Sequence, residues 1–360
     1  NLVYEYMKKT ILFALLLLLP FCVNAQLFVN NTTFTPADLV QNILLGNGVT
    51  ISNITFNGSA ANANIARDQV GFFSTNLIPT NLGLTQGIML ANGNATAAIG
   101  PNNEGGLTLP TANPVAGDAD LQALSNNSIN NKAILEFDFI PNGSVLEFEY
   151  VFASEEYPEW VNTQYNDVFG FFLSGPGIAG PFTNGAVNIA VIPSTTTPIS
   201  INNVNGGYSL GCPTVLPGGA NTAYYVNNCG GATIQYDGFT TVLTATANVQ
   251  CGELYHIKLA IAHAGPNGDN GLDSAVFMND FRIVKFDLGP DLVDTLGSAL
   301  CEGQTQLLDT GLATSVVHQW YQDGVFIQGE IGPTYQVTEA GVYSVLVYQE
   351  TYHQEVYKKY

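Results

Sequence analysis

Five residues supply the oxygen donors that a hard cation uses: Glu155, Glu156, Asn166, Asp167 and Asp273. Calcium takes about six to eight oxygens from carboxylates, amide carbonyls and backbone, offered by adaptable loops. Asp118 and Asp120 extend the inventory. The spacing matches no EF-hand or repeat motif, and the plainer use of such acids is to cap turns by accepting backbone N–H groups. Clustered without a cation, they would raise one another's pKa values and cost stability. Neighbouring Glu155 and Glu156 also allow a glycosidase reading, which needs two carboxyls about 5 to 10 Å apart around a sugar. Adjacent residues of an extended chain face opposite ways, so either glutamate would need Asp167 as its partner. That gives the alternative function, a carbohydrate-active hydrolase. Tyr157 and Trp160 beside the acids are candidates for stacking on a glycan or for core packing.

Other chemistries lack their residues. Ser154 and Ser174 have no Gly-x-Ser-x-Gly setting, which removes the nucleophile elbow. The histidines form no His-x-His or His-Glu-x-x-His pair, which argues against zinc catalysis. His256 and Lys258 share a strand face, and His263 is expected in the loop that follows. Gly175-Pro176-Gly177 and Pro217-Gly218-Gly219 are turn chemistry, since no lysine follows and no helix opens.

The elements that must position these acids are mostly strands. Gly, Asn, Thr and aromatics are plentiful, a composition of short strands and many turns. Leu135, Phe137 and Phe139 alternate toward Pro141-Asn142-Gly143, and Val145 to Phe152 follow directly, which predicts a hairpin. Further strands are expected over 87–90, 168–173, 187–192, 240–247, 254–262 and 275–286. Thr35-Pro36-Ala37-Asp38 predicts a capped helix with an apolar stripe of Leu39, Val40, Ile43 and Leu44. Asp118 is a cap for a second short helix reaching Leu124. The fold class expected is all-β, an antiparallel β-sandwich of jelly-roll or lectin-like type with a short N-terminal helix. A boundary falls at Leu288-Gly289-Pro290-Asp291. Beyond it, Trp320 and the Gly341-Val342-Tyr343 corner predict a small immunoglobulin-like β-sandwich. The expected divisions are upstream residues and signal peptide over 1–25, the large sandwich over 26–287, the small one over 288–350, and a truncated tail over 351–360.

The formal charge of −20 arises from 29 acids against only nine lysines and arginines. Such a surface repels phosphate backbones and anionic membranes, which excludes nucleic acid as a partner. Met7-Lys8-Lys9, the apolar run Ile11 to Cys22 and Val23-Asn24-Ala25 read as a cleaved secretory signal, with no membrane insertion after cleavage. The mature chain keeps Cys212, Cys229, Cys251 and Cys301, and an oxidising compartment favours disulfides. Cys212 with Cys229 would staple a Gly-rich loop, and Cys212 with Cys251 is the alternative. Cys301 has no partner, since Val345 stands where an immunoglobulin domain carries its second cysteine.

A family resemblance rests on residues spread in order along the chain. They are Phe152-Ala153-Ser154-Glu155-Glu156-Tyr157, Asn166-Asp167-Val168-Phe169-Gly170-Phe171, Ser174-Gly175-Pro176-Gly177, Asn188-Ile189-Ala190, Asp237-Gly238-Phe239-Thr240, Tyr255 to Ala262 and Asp273-Ser274-Ala275-Val276-Phe277. Together they resemble the choice-of-anchor L domain over about Phe34 to Val284. The resemblance implies an exported bacterial protein, secreted or at the cell surface, with its anchor supplied by whatever follows. It places the second unit among the immunoglobulin-like or PKD-like modules of proteins that carry a C-terminal sorting domain, as in type IX secretion. It implies no enzymatic activity. The family pattern Ala-Asp-Ala-Gly-Asp is replaced here by Ala262-His263-Ala264-Gly265-Pro266; if the missing aspartate is a ligand, this member binds more weakly or uses Asp269 in its place. The leading expectation is a non-enzymatic, calcium-stabilised module for adhesion, contacting an extracellular glycan or surface protein. The rivals are the hydrolase and a structural spacer of a larger adhesin.

Overall fold

A computed structural model describes residues 26–46, 49–60, 67–75, 79–112, 114–213, 215–284, 288, 292, 303–310, 317–348 and 354–359. The signal segment, Cys22, Cys301 and most of the 288–291 boundary lie outside these residues.

In chain order the strands of the first unit are β1 (Phe28–Asn30), β2 (Val49–Phe56), β3 (Ser59–Ala60), β4 (Val70–Ser74), β5 (Gln86–Ala91), β6 (Ser128–Pro141) and β7 (Val145–Ser154). They continue with β8 (Val168–Ser174), β9 (Val187–Asn188), β10 (Tyr225–Asn227), β11 (Gly238–Thr240), β12 (Leu243–Asn248), β13 (Tyr255–Gly265) and β14 (Ser274–Val284). The larger sheet runs β1-β4-β5-β14-β7-β11-β10, with β12 also beside β7, and the smaller runs β3-β2-β6-β13-β8-β9. The named strands pair antiparallel throughout. The first unit is therefore the expected all-β antiparallel sandwich.

Period-two alternation builds its core. Leu146, Phe148, Tyr150 and Phe152 of β7 face the smaller sheet and join one large apolar cluster. Phe148 meets Phe171 with ring centroids 4.9 Å apart, and Phe152 stacks on Phe169 at 4.8 Å. Val151 and Ala153, on the opposite face of β7, enter a second cluster with Ile234, Tyr236, Ala275 and Phe277. The middle of the larger sheet is thus covered on both faces, and polar groups at the end of β7 are buried with it.

Several local expectations change. β6 and β7 form no hairpin. β6 pairs with β2 and β13, while β7 pairs with β12, β14 and β11, so the Asn142–Ser144 turn carries the chain from one sheet to the other. Alternation fixed the buried faces of both strands without fixing their neighbours. The 187–192 strand shrinks to two residues, after which Asn188 Oδ1 accepts from the amides of Phe171 and Ala190 and turns the chain. The predicted N-terminal helix begins with a full capping box at Thr35 and Asp38, runs as α1 (Pro36–Leu39) and continues as a π turn over Val40–Leu44. Asp118 caps α2 (Ala119–Ala123) as expected.

The second unit holds β15 (Gln306–Asp309), β16 (Val317–Gln322), β17 (Val325–Phe326), β18 (Thr334–Val337), β19 (Val342–Tyr348) and β20 (Gln354–Lys359). β15 pairs with β18, and the other sheet runs β17-β16-β19-β20. Its own core is Leu288, Leu308, Trp320, Val337, Tyr343 and Val345. Trp320 Nε1 donates to Gly332 O, and Tyr343 Oη donates to Glu339 O. Residues 354–359, expected within a polar tail, pair along β19 as a strand. Among the described residues no helix is long and apolar enough to cross a membrane.

Candidate functional site

Central strands of both sheets bring their ends to one place. β7 ends at Ser154, which pairs with Ser274 of β14 and Gly238 of β11. The next residues are Glu155 and Glu156, while Asp273 and Asp237 stand just before β14 and β11. Asp167 stands just before β8 of the smaller sheet. His263 lies inside β13, at a bulge, and not in a following loop. Glu155, Glu156, Asp167, Asp237, His263 and Asp273 are all at most 1% exposed. Buried polar groups need partners, and buried charges need them most.

Around Asp167 the partners are present. Its carboxylate accepts from Asn92 Nδ2 at 2.6 Å, Ser274 Oγ at 2.7 Å and the Ala264 amide at 3.0 Å. The Ser274 amide donates to Asn92 Oδ1, which fixes the carboxamide and turns Nδ2 toward both Asp167 and His263 Nδ1, the latter at 3.0 Å. Nδ1 therefore accepts in the neutral ring, and Nε2 carries the proton. Nε2 lies 3.7 Å from Asp273 Oδ1, beyond hydrogen-bond range, and neither atom has a hydrogen-bond partner among the described residues. Asp273 Oδ2 accepts from the Leu109 amide at 2.7 Å. Burial disfavours a charged imidazole, but Asp167, then Asp273 and Asp269, outweigh it and hold His263 above its ordinary pKa. Burial drives Asp273 up to about 7. Glu156 is pushed well above the carboxylate range by burial and by Asp167. Its Oε2 accepts from the Asp167 amide at 3.1 Å, and its Oε1 has no partner among the described residues. Asp167, His263 and Asp269 each offer one ligand atom within 4.8 Å of one another.

Glu155 faces another set of groups. Asp237 and Glu155 each follow directly on the Gly238–Ser154 pair that ends the β7–β11 register, and Asp237 acts on Glu155 electrostatically. Glu155 Oε2 accepts from the Gly106 amide at 3.3 Å, while Oε1 has no partner among the described residues. Burial first, then Asp237, raises Glu155 to about 9. Asp237 Oδ1 accepts from Asn102 Nδ2 at 2.8 Å, Oδ2 has no partner among the described residues, and burial lifts the group to about 7. Glu159 Oε2 and Tyr225 Oη are likewise buried atoms without a partner among the described residues. Cys212 and Cys229 are joined as a disulfide, and Cys212 Sγ lies 3.6 Å from Asp237 Oδ1. Cys251 is free and exposed.

The five predicted ligands thus divide. Glu156, Asp167 and Asp273 surround His263, while Glu155 turns toward Asp237. Asn166 is drawn elsewhere: its Oδ1 accepts from the Asn202 amide at 3.0 Å and secures a neighbouring loop. Asp118 and Asp120 form a separate group with Lys258. Tyr157 offers no face to a sugar, because it is fully buried against Tyr225 and donates to Val204 O at 2.6 Å. Trp160 is half-buried and packs edge-on against Tyr165. His256 is held by Asp138 and Glu136 on β6. Asn92 and Asp237 escaped the sequence reading as site residues. Asn92 carries no sequence signal beyond following an apolar strand, whereas Asp237 was visible in Asp237-Gly238-Phe239-Thr240 but stands far along the chain from Glu155, Glu156 and Asp167 and well before Asp273.

The family model of the choice-of-anchor L domain matches residues 28–281, most of the chain, from the start of β1 to Phe281 within β14. No curated protein matches the sequence.

Proposed function

Because the chain belongs to the choice-of-anchor L domain family, whose members are extracellular surface modules, we propose that it is non-enzymatic and secreted or displayed at the cell surface, with a sandwich stabilised by calcium. We assign it a role in adhesion through a glycan or a surface protein, with an immunoglobulin-like unit following. The observation that carries the calcium reading is the set of fully buried carboxylates whose outer oxygens, Glu155 Oε1, Glu156 Oε1, Asp237 Oδ2 and Asp273 Oδ1, lack partners among the described residues. Unsatisfied buried acids cost stability unless they share protons or a cation, and an exported protein meets abundant calcium. Oxygen donors from separate loops suit calcium better than ions that prefer imidazole or thiolate. The same burial weighs against the hydrolase alternative, since Glu155, Glu156 and Asp167 have no surface on which a sugar could sit.

The test is thermal unfolding of the intact protein in calcium and then in chelator, with elemental analysis of the dialysed protein. Binding only the native state raises stability by about 2.7 kcal/mol at a hundredfold excess over Kd. An unmoved midpoint with no bound metal would remove the calcium reading. Adhesion is tested separately on glycan and surface-protein arrays. Absence of any specific contact would leave the spacer role in its place.

A further inference from the structure

At the acid-bearing end of the sandwich, ligand atoms converge at one place. Asp167, His263 and Asp269 each bring one atom within 4.8 Å of the other two, and no other such group of acids, histidines or cysteines occurs among the described residues. Asp167 stands before β8, His263 lies at the β13 bulge, and Asp269 belongs to the connection from β13 to β14. That connection folds back on the strand it leaves. Asn267 and Gly268 take left-handed backbone there, with φ of 58° and 76°. A Cβ at Gly265 would lie 2.9 Å from Asp269 Oδ2, so the carboxylate reaches the end of β13 only past a glycine. Gly93 makes the same allowance for Asp273, whose carboxylate a Cβ there would strike.

Glu156 supplies a separate sign of a ligand. It is fully buried, its Oε2 accepts from the Asp167 amide at 3.1 Å, and its Oε1 has no partner among the described residues. Asp167 and Asp269 both act on it electrostatically, which puts this carboxyl beside the same two acids. Asp167 also has capacity left. Its Oδ2 accepts from Asn92 and Ser274, but its Oδ1 only from the Ala264 amide, and a carboxylate oxygen can accept twice. Among the described residues, His263 is the only basic side chain in ion-pair range of Glu156, Asp167, Asp269 or Asp273. At most one positive charge there stands against four carboxylates. With Asn92 donating to Nδ1, the other ring nitrogen carries the proton, so His263 offers a metal no lone pair. The donors that remain are oxygens, the set that a hard cation prefers.

We propose that the calcium of this module is held by Asp167, Asp269 and Glu156, with His263 as a positioning residue outside the ligand set, and that the connection over 266–272 closes over the ion. This assignment rests on the calcium reading above and gives it a location. Asp269 is half-buried while Glu156 and Asp167 are fully buried, so the ion enters from the loop side. Backbone carbonyls and water complete the shell, as they do in adaptable calcium sites.

The experiment titrates calcium chloride into the intact protein by calorimetry, alongside Asp269→Asn, Glu156→Gln, Asp237→Asn and, as a control beside His256, Asp138→Asn. Asp269→Asn keeps the Oδ1 that accepts from the Gly271 amide at 3.2 Å and removes only the charge. It and Glu156→Gln are each expected to weaken calcium binding at least about tenfold, because ligand charge sets affinity in such sites. Asp138→Asn is expected to stay within about threefold. Calcium should also slow amide exchange over 266–272 in the parent and not in Asp269→Asn. Retained affinity in both Asp269→Asn and Glu156→Gln, or loss confined to Asp237→Asn, overturns the assignment while the calcium reading stands. Zinc chloride bound more tightly than calcium would make the imidazole a ligand and overturn it too. No binding by the parent protein removes both. Thermal melts in chelator guard against misfolding, and both variants should melt at or above the parent. Failure of either to fold in chelator would make its carboxylate structural in the calcium-free protein and overturn its place in the ligand set.

Discussion

At the scale of single residues, the buried acids set how the protein answers pH. Glu155 is raised from 4.5 to about 9, and Asp237 and Asp273 from 3.8 to about 7, each mainly by burial. In the calcium-free protein the native state therefore holds protons that the unfolded chain releases. A raised folded pKa contributes stability that is complete below the unfolded value and disappears as pH rises through the folded one. His263, also raised, acts in the same direction. In chelator, denaturant midpoints should fall steadily between about pH 4 and pH 9. Saturating calcium should oppose that fall, because ligation needs ionised carboxylates and strengthens with pH. Parallel curves in calcium and chelator would contradict ligation by the buried acids. The donor types were legible in the sequence, and Glu155, Glu156, Asp167 and Asp273 do gather at one end of the sandwich. Their grouping was not legible, because it depends on cross-strand register: Asp237 meets Glu155 only because Gly238 pairs with Ser154. Asn166 shows the converse. Its type suits a cation, but a neighbouring amide claims its oxygen.

At the scale of elements, alternation identified most of the long strands and both capped helices, since each signal lies within about ten residues. Pairing partners are decided by contacts far along the chain, which is why the expected hairpin became a crossover between sheets. Short strands such as β9 and β10 pair with a neighbour over only two or three residues and leave little periodic trace. The loop over 205–219 illustrates how a staple compensates. It exposes Leu210 and Val215, contributes little to the core, and is tied by Cys212–Cys229 across a separation of 17 residues. Closing a loop of about that size is worth about 3 kcal/mol in the unfolded-chain account. The double change Cys212→Ala with Cys229→Ala should lower unfolding stability by up to that amount. Cys251→Ser, at an exposed thiol, should leave it unchanged. Equal effects from all three cysteines, measured by chemical denaturation under oxidising conditions, would contradict this.

At the scale of the whole molecule, the described strands sort into two sets that share no sheet, and the apolar cluster of the second set contains no residue from the first. The expected reset of pattern after Leu288 rested on Trp320 and the Gly341-Val342-Tyr343 corner, and Trp320 and Tyr343 share one buried cluster. Separate cores imply separate cooperative units. Calorimetry of the intact chain should show two transitions, and calcium should move only the one that belongs to the acid-bearing sandwich. Trp320 is fully buried, packs on Tyr335 with centroids 5.6 Å apart, and anchors Gly332 through its indole N–H. Truncating it removes that packing and leaves a carbonyl unpaired, a loss of about 3 to 5 kcal/mol for a large aromatic in a core. Among the described residues Trp320 is the largest member of the buried cluster of this unit, so its loss removes a major share of that packing. Trp320→Ala should therefore abolish or strongly lower the calcium-insensitive transition while the calcium-shifted one keeps its midpoint within about one degree. A single transition that Trp320→Ala and calcium both displace would mean that the two cores unfold as one.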